Sequence, residues 1–145
     1  FVTVSRSLTG LLISKARPFI YTTALPPAVC AAAVKAIDVA EKNPRLRERL
    51  WEQVEYMKGG LKEAGLNTMG SESQIMPLFV GRVDKTMLVS AKLLEQGIYI
   101  QGIRPPTVPE GASRLRLTVS AAHTKKDLDE AIMTVKDAFH SSGLV

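Results

Sequence analysis

The segment Ile103–Thr124, with the sequence IRPPTVPEGASRLRLTVSAAHT, constrains the fold of this 145-residue chain more than any other. The rings of Pro105 and Pro106 fix their own φ angles and force the preceding residue into an extended conformation, so Arg104 starts from a backbone with little freedom. Farther along, polar and apolar residues alternate with the period of a strand that has one apolar face. The segment therefore predicts a rigid turn followed by a strand.

The predicted strand runs from Arg114 to Ser120 and places four polar side chains on one face: Arg114, Arg116, Thr118 and Ser120. A guanidinium is planar and always charged, and its fork suits a carboxylate better than the ammonium of a lysine does. We therefore predict an anion site formed by the strand arginines and Arg104. The alternative is that these arginines form only the solvated face of a half-buried strand, where charged residues are common.

Cysteine and histidine are too few for a disulfide framework or a zinc cluster. The chain has one cysteine, Cys30, which we expect to be buried in an alanine-rich helix. Its two histidines, His123 and His140, lack the partners that a zinc site requires. We therefore expect no bound metal and no sign of an oxidising compartment.

Charge and hydropathy limit the classes of partner. The longest apolar runs fall short of the roughly 20 residues that a membrane span needs, and no cleavable signal opens the chain. We therefore expect a cytoplasmic protein without a membrane partner. The net charge of +5 comes without an RNA-binding signature or an aromatic stacking platform, so we expect acidic substrates and no nucleic-acid partner.

Periodicity predicts an α+β fold in which helices come first and a small mixed sheet of about three strands follows, covered by helices. The strands are expected at Ile75–Val80, Ile98–Ile103 and Arg114–Ser120, and the first two are far enough apart for a parallel pair. A long amphipathic helix precedes them. Of the two later helices, one carries the apolar residues Met87, Leu88, Ala91 and Leu94, and the other begins with a capping box at Thr124.

Three stretches in the same order carry a resemblance to a known family: RPFIYTTALPPA, SQIMPLFVG, and LLEQGIYIQGIRPPTVPEGASRLRLTVSAAHT. The chain resembles the C-terminal part of the α-oxoamine synthases, pyridoxal-phosphate enzymes that join an amino acid to an acyl-CoA with loss of carbon dioxide. The resemblance implies the C-terminal small domain of a fold-type I enzyme, a homodimer, and pyridoxal 5'-phosphate as the cofactor. It also implies one domain over 1–145, in which helical residues 1–43 bridge to a large N-terminal domain and 44–145 form the small α+β domain.

The resemblance also implies that this chain holds no catalytic lysine. In the family that lysine lies in a segment preceding the stretch that Phe1–Ser5 resembles. Lys15 stands in a Ser-Lys-Ala triplet that imitates the reactive motif, but the glycine-rich sequence that follows it in the family is absent here. We therefore interpret Lys15 as a solvated lysine in the last turn of a helix, and we expect the chain alone to be inactive.

Site residues follow from the resemblance position by position. Arg116 matches the arginine that binds the carboxylate of the amino acid, and Arg104 matches a second anion contact that repositions during the cycle. Thr23, with Thr22 beside it, matches the hydroxyl that reaches the cofactor phosphate of the partner subunit, although both threonines could equally cap the following helix. For Arg114 and His123 we expect structural roles, at the strand and beside a helix cap.

Within the family, the sequence IRPPTVP resembles the corresponding segment of the enzymes that condense L-alanine with pimeloyl-CoA in biotin biosynthesis. The alternative branch is the one that forms 2-amino-3-ketobutyrate from a different amino acid. A third possibility is a stand-alone, non-catalytic binding domain that kept the fold and lost the chemistry. A large domain encoded upstream would favour either enzyme over the stand-alone domain.

Overall fold

The structure, a computed structural model, describes residues 3–145; Phe1 and Val2, and with them the start of the Phe1–Ser5 stretch, lie outside the described residues. The described residues form six helices and three strands. In chain order these are α1 (Arg6–Lys15), α2 (Arg17–Ile20), α3 (Pro27–Lys42), α4 (Pro44–Glu63), β1 (Ile75–Gly81), α5 (Val83–Glu95), β2 (Gln101–Ile103), β3 (Ser113–Thr118) and α6 (Lys125–His140).

The chain divides into two compact units, one reaching to Lys42 and the other comprising Asn43–Val145. The first unit contains α1, α2 and α3, and none of the described residues in these helices is buried. Cys30 lies in α3 and is exposed, so the prediction of a buried cysteine is wrong. The reason is that, within this unit, no other described element covers the apolar positions of α3.

The second unit contains the sheet, whose strand order is β1-β3-β2. The predicted α+β fold with about three strands is confirmed, but the sheet is antiparallel rather than mixed. The crossover through α5 does return β2 in the direction of β1. However, β3 lies between the two and pairs antiparallel with both, so no parallel pair forms.

The buried face of the sheet packs against α4, α5 and α6. The predicted stripe of α4 contributes Val54, Met57 and Leu61, which are all buried. Gly65 ends this helix with φ +74°, and the amide of Leu66 then donates to the carbonyl of Leu61 at 3.0 Å. This positive φ needs a residue without a Cβ, which is why the helix ends where the sequence predicts.

Helix α5 is present where the sequence predicts it, but several of its apolar residues are exposed. Met87, Leu88 and Leu94 are 42%, 45% and 58% exposed. The buried positions are instead Thr86, Val89 and Leu93. The buried face of α5 therefore includes a threonine, which a pattern of apolar residues does not mark.

Thr86 is tolerated in the core because its own helix satisfies its hydroxyl. Its Oγ1 donates to the carbonyl of Arg82 at 2.7 Å. Gly102 of β2 then lies close to α5, since a Cβ on this glycine would stand 3.4 Å from Thr86 Cγ2 and 3.1 Å from Met87 Sδ. The side of α5 that carries Thr86 therefore packs against the sheet.

The capping box predicted at the start of α6 is present. The amide of Asp127 donates to Thr124 Oγ1 at 3.2 Å, and the amide of Thr124 donates to Asp127 Oδ2 at 2.7 Å. The bonds to Thr124 lower the pKa of Asp127. The carboxylate therefore stabilises the folded state above its unfolded pKa, near 3.9, and this contribution is lost as the pH falls through the folded value.

We predict that Asp127→Ala lowers the free energy of unfolding at pH 7 and that the difference from the wild type is smaller at pH 3, because this pH is below the unfolded pKa of the carboxylate, near 3.9. Urea unfolding at both pH values measures this. Glu130→Ala is the control, because Glu130 lies on the same helix and its carboxylate makes no hydrogen bond among residues 3–145. An equal loss at both pH values would contradict the prediction.

Ser113 supplies a second test, because its side chain is fully buried and its Oγ has no hydrogen-bond partner among the described residues. An unsatisfied buried hydroxyl costs about 1–3 kcal/mol. We therefore expect Ser113→Ala to raise the free energy of unfolding by about 1 kcal/mol. Thr86→Val is the matched control and should lower it, since the hydroxyl of Thr86 has a partner.

Candidate functional site

Arg116 lies at the centre of the exposed face of the sheet. It is on the middle strand, β3, and its Cα pairs with Pro77 on β1 and with Gln101 on β2. Its neighbours in sequence, Leu115 and Leu117, point into the core, so the alternation predicted from the sequence is present. The guanidinium Nη2 donates to Gln101 Oε1 at 2.7 Å. Arg116 is therefore exposed and oriented by one neutral partner.

Arg104 directly follows β2 and begins the proline turn. The amide of Thr107 donates to the carbonyl of Arg104 at 3.1 Å and closes this turn around the two prolines. Arg104 lines a surface pocket of about 510 Å³. The wall of this pocket also includes Gln101, the partner of Arg116. Gln101 is thus hydrogen-bonded to Arg116 and lines the same pocket as Arg104, whereas Arg116 does not line that pocket.

Both arginines are free of carboxylate partners among residues 3–145. The ion pairs of this part of the chain lie elsewhere, at Lys35, Lys42, Lys58 and Arg82. A guanidinium without an internal counter-ion keeps its donors and its charge for a ligand. The arrangement can therefore bind a small anion such as a carboxylate.

Arg114 differs from Arg116 although it is only two residues away. Its Nε donates to the carbonyl of Ala112 at 2.9 Å, and the side chain is partly buried. This bond ties the arginine to the turn that precedes its own strand. The geometry agrees with the structural role expected for Arg114.

Thr22 and Thr23 lie in the exposed loop between α2 and α3. Neither threonine caps α3, because neither hydroxyl accepts from an amide of that helix, and the amides of Val29 and Cys30 donate to the carbonyl of Pro26 at 3.0 and 3.2 Å. Within the described residues, neither hydroxyl takes part in a hydrogen bond. Both are therefore available to an external acceptor such as a phosphate oxygen.

Lys15 is the last residue of α1 and is exposed, as its interpretation as a solvated lysine requires. The next residue, Ala16, ends the helix by donating its amide to the carbonyl of Leu12 at 2.8 Å. A basic residue in this position interacts favourably with the negative end of the helix dipole. The observed position of Lys15 therefore has a structural explanation.

His123 is occupied by contacts that shape the turn before α6. Its Nδ1 accepts from the amide of Ser120 at 3.2 Å. Its carbonyl accepts from Arg49 Nη2 at 3.2 Å and from Gln53 Nε2. These bonds join α4 to the turn before α6, and they give His123 a structural explanation.

Sequence reasoning missed Gln101. The residue lies 15 positions before Arg116, and only the pairing of β2 with β3 brings the two together. The alternation of polar and apolar residues around β2 is too short to have shown it, since that strand has three residues. Gln101 could have been found only from the pairing register of β2 and β3, which places it opposite Arg116.

In the part of the chain that the structure describes, no group of three or more histidine, cysteine, aspartate or glutamate side chains is arranged to hold a metal ion. None of the helices in that part is both long and apolar enough to cross a membrane.

Comparison with known proteins identifies the family. The profile of aminotransferase class I and II matches residues 1–135. The 8-amino-7-oxononanoate synthase of Citrifermentans bemidjiense is 46% identical over 147 aligned positions, which cover 100% of this chain and 38% of that protein. A Thermus thermophilus protein named 8-amino-7-oxononanoate synthase/2-amino-3-ketobutyrate coenzyme A ligase is 42% identical over 97% of this chain and 36% of its own length.

Among solved structures, serine palmitoyltransferase with pyridoxal phosphate as the internal aldimine superposes with a TM-score of 0.84. It is 29% identical and covers 97% of this chain and 36% of its own. The chain thus spans little more than a third of the length of these proteins. The chain belongs to the aminotransferase class I and II family, and within it resembles the C-terminal part of the α-oxoamine synthases.

Proposed function

We propose that the chain is the C-terminal part of a cytoplasmic, pyridoxal-phosphate-dependent acyltransferase that condenses an amino acid with an acyl-CoA and releases carbon dioxide. The substrates that we assign are L-alanine and pimeloyl-CoA, in biotin biosynthesis. The observation that carries the proposal is the exposed guanidinium of Arg116, which is held by a neutral amide and has no carboxylate partner within residues 3–145. The name of the relative from Citrifermentans bemidjiense supports the choice of substrates.

Arg116 binds the carboxylate of the amino acid. Its strand is the middle one of the sheet and is paired on both sides, so the base of the side chain is held more steadily than it would be on a loop. Charge-assisted bonds from a guanidinium fix the carboxylate while the proton on Cα is removed. The role of Arg116 is therefore to orient the reacting carbon.

Arg104 makes a second contact with the substrate anion, later in the cycle. It lies outside the strands, at the start of the proline turn, and it lines the pocket that reaches Gln101. The same carboxylate must be held during proton removal and then released as carbon dioxide. Two arginines in different settings suit this sequence better than one rigid clamp, because binding energy accelerates a step only when it is realised in the transition state.

The described residues fit a contact to the phosphate of the cofactor. Thr22 and Thr23 present two exposed hydroxyls without internal partners, just before a helix N-terminus that favours negative charge. In a homodimer these hydroxyls would donate to the phosphate bound by the partner subunit. Pyridoxal phosphate, when bound, supplies an electron sink for the amino acid.

A related reaction is the second candidate. The Thermus thermophilus relative is named for two activities, 8-amino-7-oxononanoate synthase and 2-amino-3-ketobutyrate coenzyme A ligase. Its similarity covers almost the whole of this chain, so the same C-terminal part is compatible with either substrate pair. Turnover of L-alanine with pimeloyl-CoA, compared with glycine and acetyl-CoA on the complete enzyme, distinguishes the two.

We predict that this chain alone forms no selective covalent adduct with pyridoxal phosphate. Lys15 lies at the exposed end of α1, whereas a lysine that reacts as a nucleophile is activated by burial or by a neighbouring cationic group. Incubation with the cofactor, borohydride reduction and peptide mapping should show Lys15 labelled no more than Lys136, an exposed control lysine on α6. Stoichiometric labelling of Lys15 would restore it as the cofactor lysine.

In the complete enzyme, Arg116→Ala should raise the KM for the amino acid by about 10- to 100-fold, because a charge-assisted bond is worth about 1.5–3 kcal/mol. Arg116→Lys should recover only part of this loss, since the lysine keeps the charge but loses the planar fork. Steady-state kinetics with varied amino acid measures both variants. An unchanged KM for Arg116→Ala would contradict the assignment and favour the alternative, in which the strand arginines form only a solvated face.

Arg104→Ala should lower kcat more than it raises the KM for the amino acid, because its contact is made after binding. The same kinetic measurements test this separately. Arg114→Ala is the matched control, since its guanidinium is tied to the carbonyl of Ala112. We expect it to change stability more than either kinetic constant, and a loss equal to that of Arg116→Ala would contradict the assignment.

A further inference from the structure

Gln101 is the residue that neither the sequence patterns nor the family resemblance singled out, yet it makes the one hydrogen bond that Arg116 forms with another described side chain. Its Oε1 accepts from Arg116 Nη2 at 2.7 Å, and the two Cα atoms are direct partners across β2 and β3. Residues opposite each other in an antiparallel pair share a face of the sheet and lie in side-chain contact. The bond is therefore a product of the strand register.

The two strands that flank Arg116 differ in what they offer. On β1 the opposite residue is Pro77, whose side chain is an apolar ring without a hydrogen-bonding group. On β2 the opposite residue is Gln101, which accepts. The guanidinium is consequently drawn toward β2 and away from β1. This is also the side on which Arg104 follows, since that residue comes directly after β2.

The chemical type of the partner is as important as its position. An amide oxygen accepts a hydrogen bond but carries no net charge, so it orients the guanidinium without neutralising it. The bond uses one of the five N–H donors of arginine and leaves four for an anion. A carboxylate in the same place would form an ion pair and compete directly with a substrate carboxylate.

Gln101 also lines the pocket that contains Arg104. Its Nε2 donates no hydrogen bond to any other side chain or backbone group of residues 3–145, so the amide can hold Arg116 through its oxygen and still offer a donor at the pocket. We infer that Gln101 is a positioning residue, which holds the guanidinium of Arg116 against its own amide oxygen and keeps the charge of Arg116 available for the substrate carboxylate. This inference rests on the proposed function.

Three variants of the complete enzyme test the inference. Gln101→Leu removes the acceptor at similar size and should raise the KM for the amino acid by about 3- to 10-fold, with little change in kcat. Gln101→Glu keeps the shape but adds a competing charge, so we expect a rise of about 10-fold or more. Gln96→Glu is the control, because Gln96 is exposed at the end of α5 and carries the same change of charge away from Arg116.

The double variant Gln101→Glu with Arg116→Ala separates this role from a general effect of charge. If the glutamate acts only by pairing with Arg116, it should add nothing to the KM of Arg116→Ala alone. A further rise of the same size in the double variant would show that the glutamate repels the substrate by itself, which would overturn the inference.

Nitrogen-15 NMR of the 145-residue chain provides a readout that does not depend on catalysis. Rotation of the Arg116 guanidinium should be slow in the wild type and in Gln101→Glu, and about 3-fold or more faster in Gln101→Leu, because that variant lacks the acceptor. Equal rotation rates in the wild type and in Gln101→Leu would overturn the inference.

The two levels of failure are distinguishable. If Arg116→Ala raises the KM while both Gln101 variants leave it unchanged, the positioning role is wrong and the proposed function stands. If Arg116→Ala leaves the KM unchanged, the proposed function fails, and with it the role of Gln101 toward a substrate.

Discussion

The pairing register of β3 between β1 and β2 is the constraint on which the candidate site depends. Leu115 and Leu117 are buried on one face of this strand, and their alternation forces Arg116 onto the other. A slip of one residue would exchange the faces and bury a charged guanidinium without a partner, which is strongly unfavourable. The core of the second unit therefore determines that the arginine is exposed and lies opposite Gln101.

The helices on one side of the sheet allow the other side to carry the site. Because α4, α5 and α6 share one core with the buried face of the sheet, the other face keeps Arg116 accessible to a ligand. The pocket at Arg104 lies beside α5, since Met87 and Ser90 line it together with β2 and the proline turn. Arg114 shows the contrast, since its bond to Ala112 makes it part of the turn. The two arginines of this strand thus differ in their partners: Arg114 is bonded to a backbone carbonyl of the turn, and Arg116 is bonded to the side-chain amide of Gln101.

Polar residues in the core explain where periodicity failed. The sequence pattern marked Met87, Leu88 and Leu94 as the apolar residues of α5, whereas the helix buries Thr86, whose hydroxyl is satisfied by the carbonyl of Arg82. The prediction of a mixed sheet was wrong for a different reason. The crossover through α5 leaves space for one strand between β1 and β2, and β3 occupies it, so both pairings are antiparallel. The exposure of Cys30 follows from the lack of a covering element within the first described unit.

The sequence by itself determined the local features: the long helix ending at Gly65, the capping box at Thr124, the proline turn after Arg104, and the alternation along β3. These depend on residues within a few positions of one another, where propensity and sterics act directly. Only the tertiary structure decided the strand order and the contact between Gln101 and Arg116. Strand order and cross-strand contacts depend on which long-range pairing buries the core, and a local sequence pattern does not contain that information.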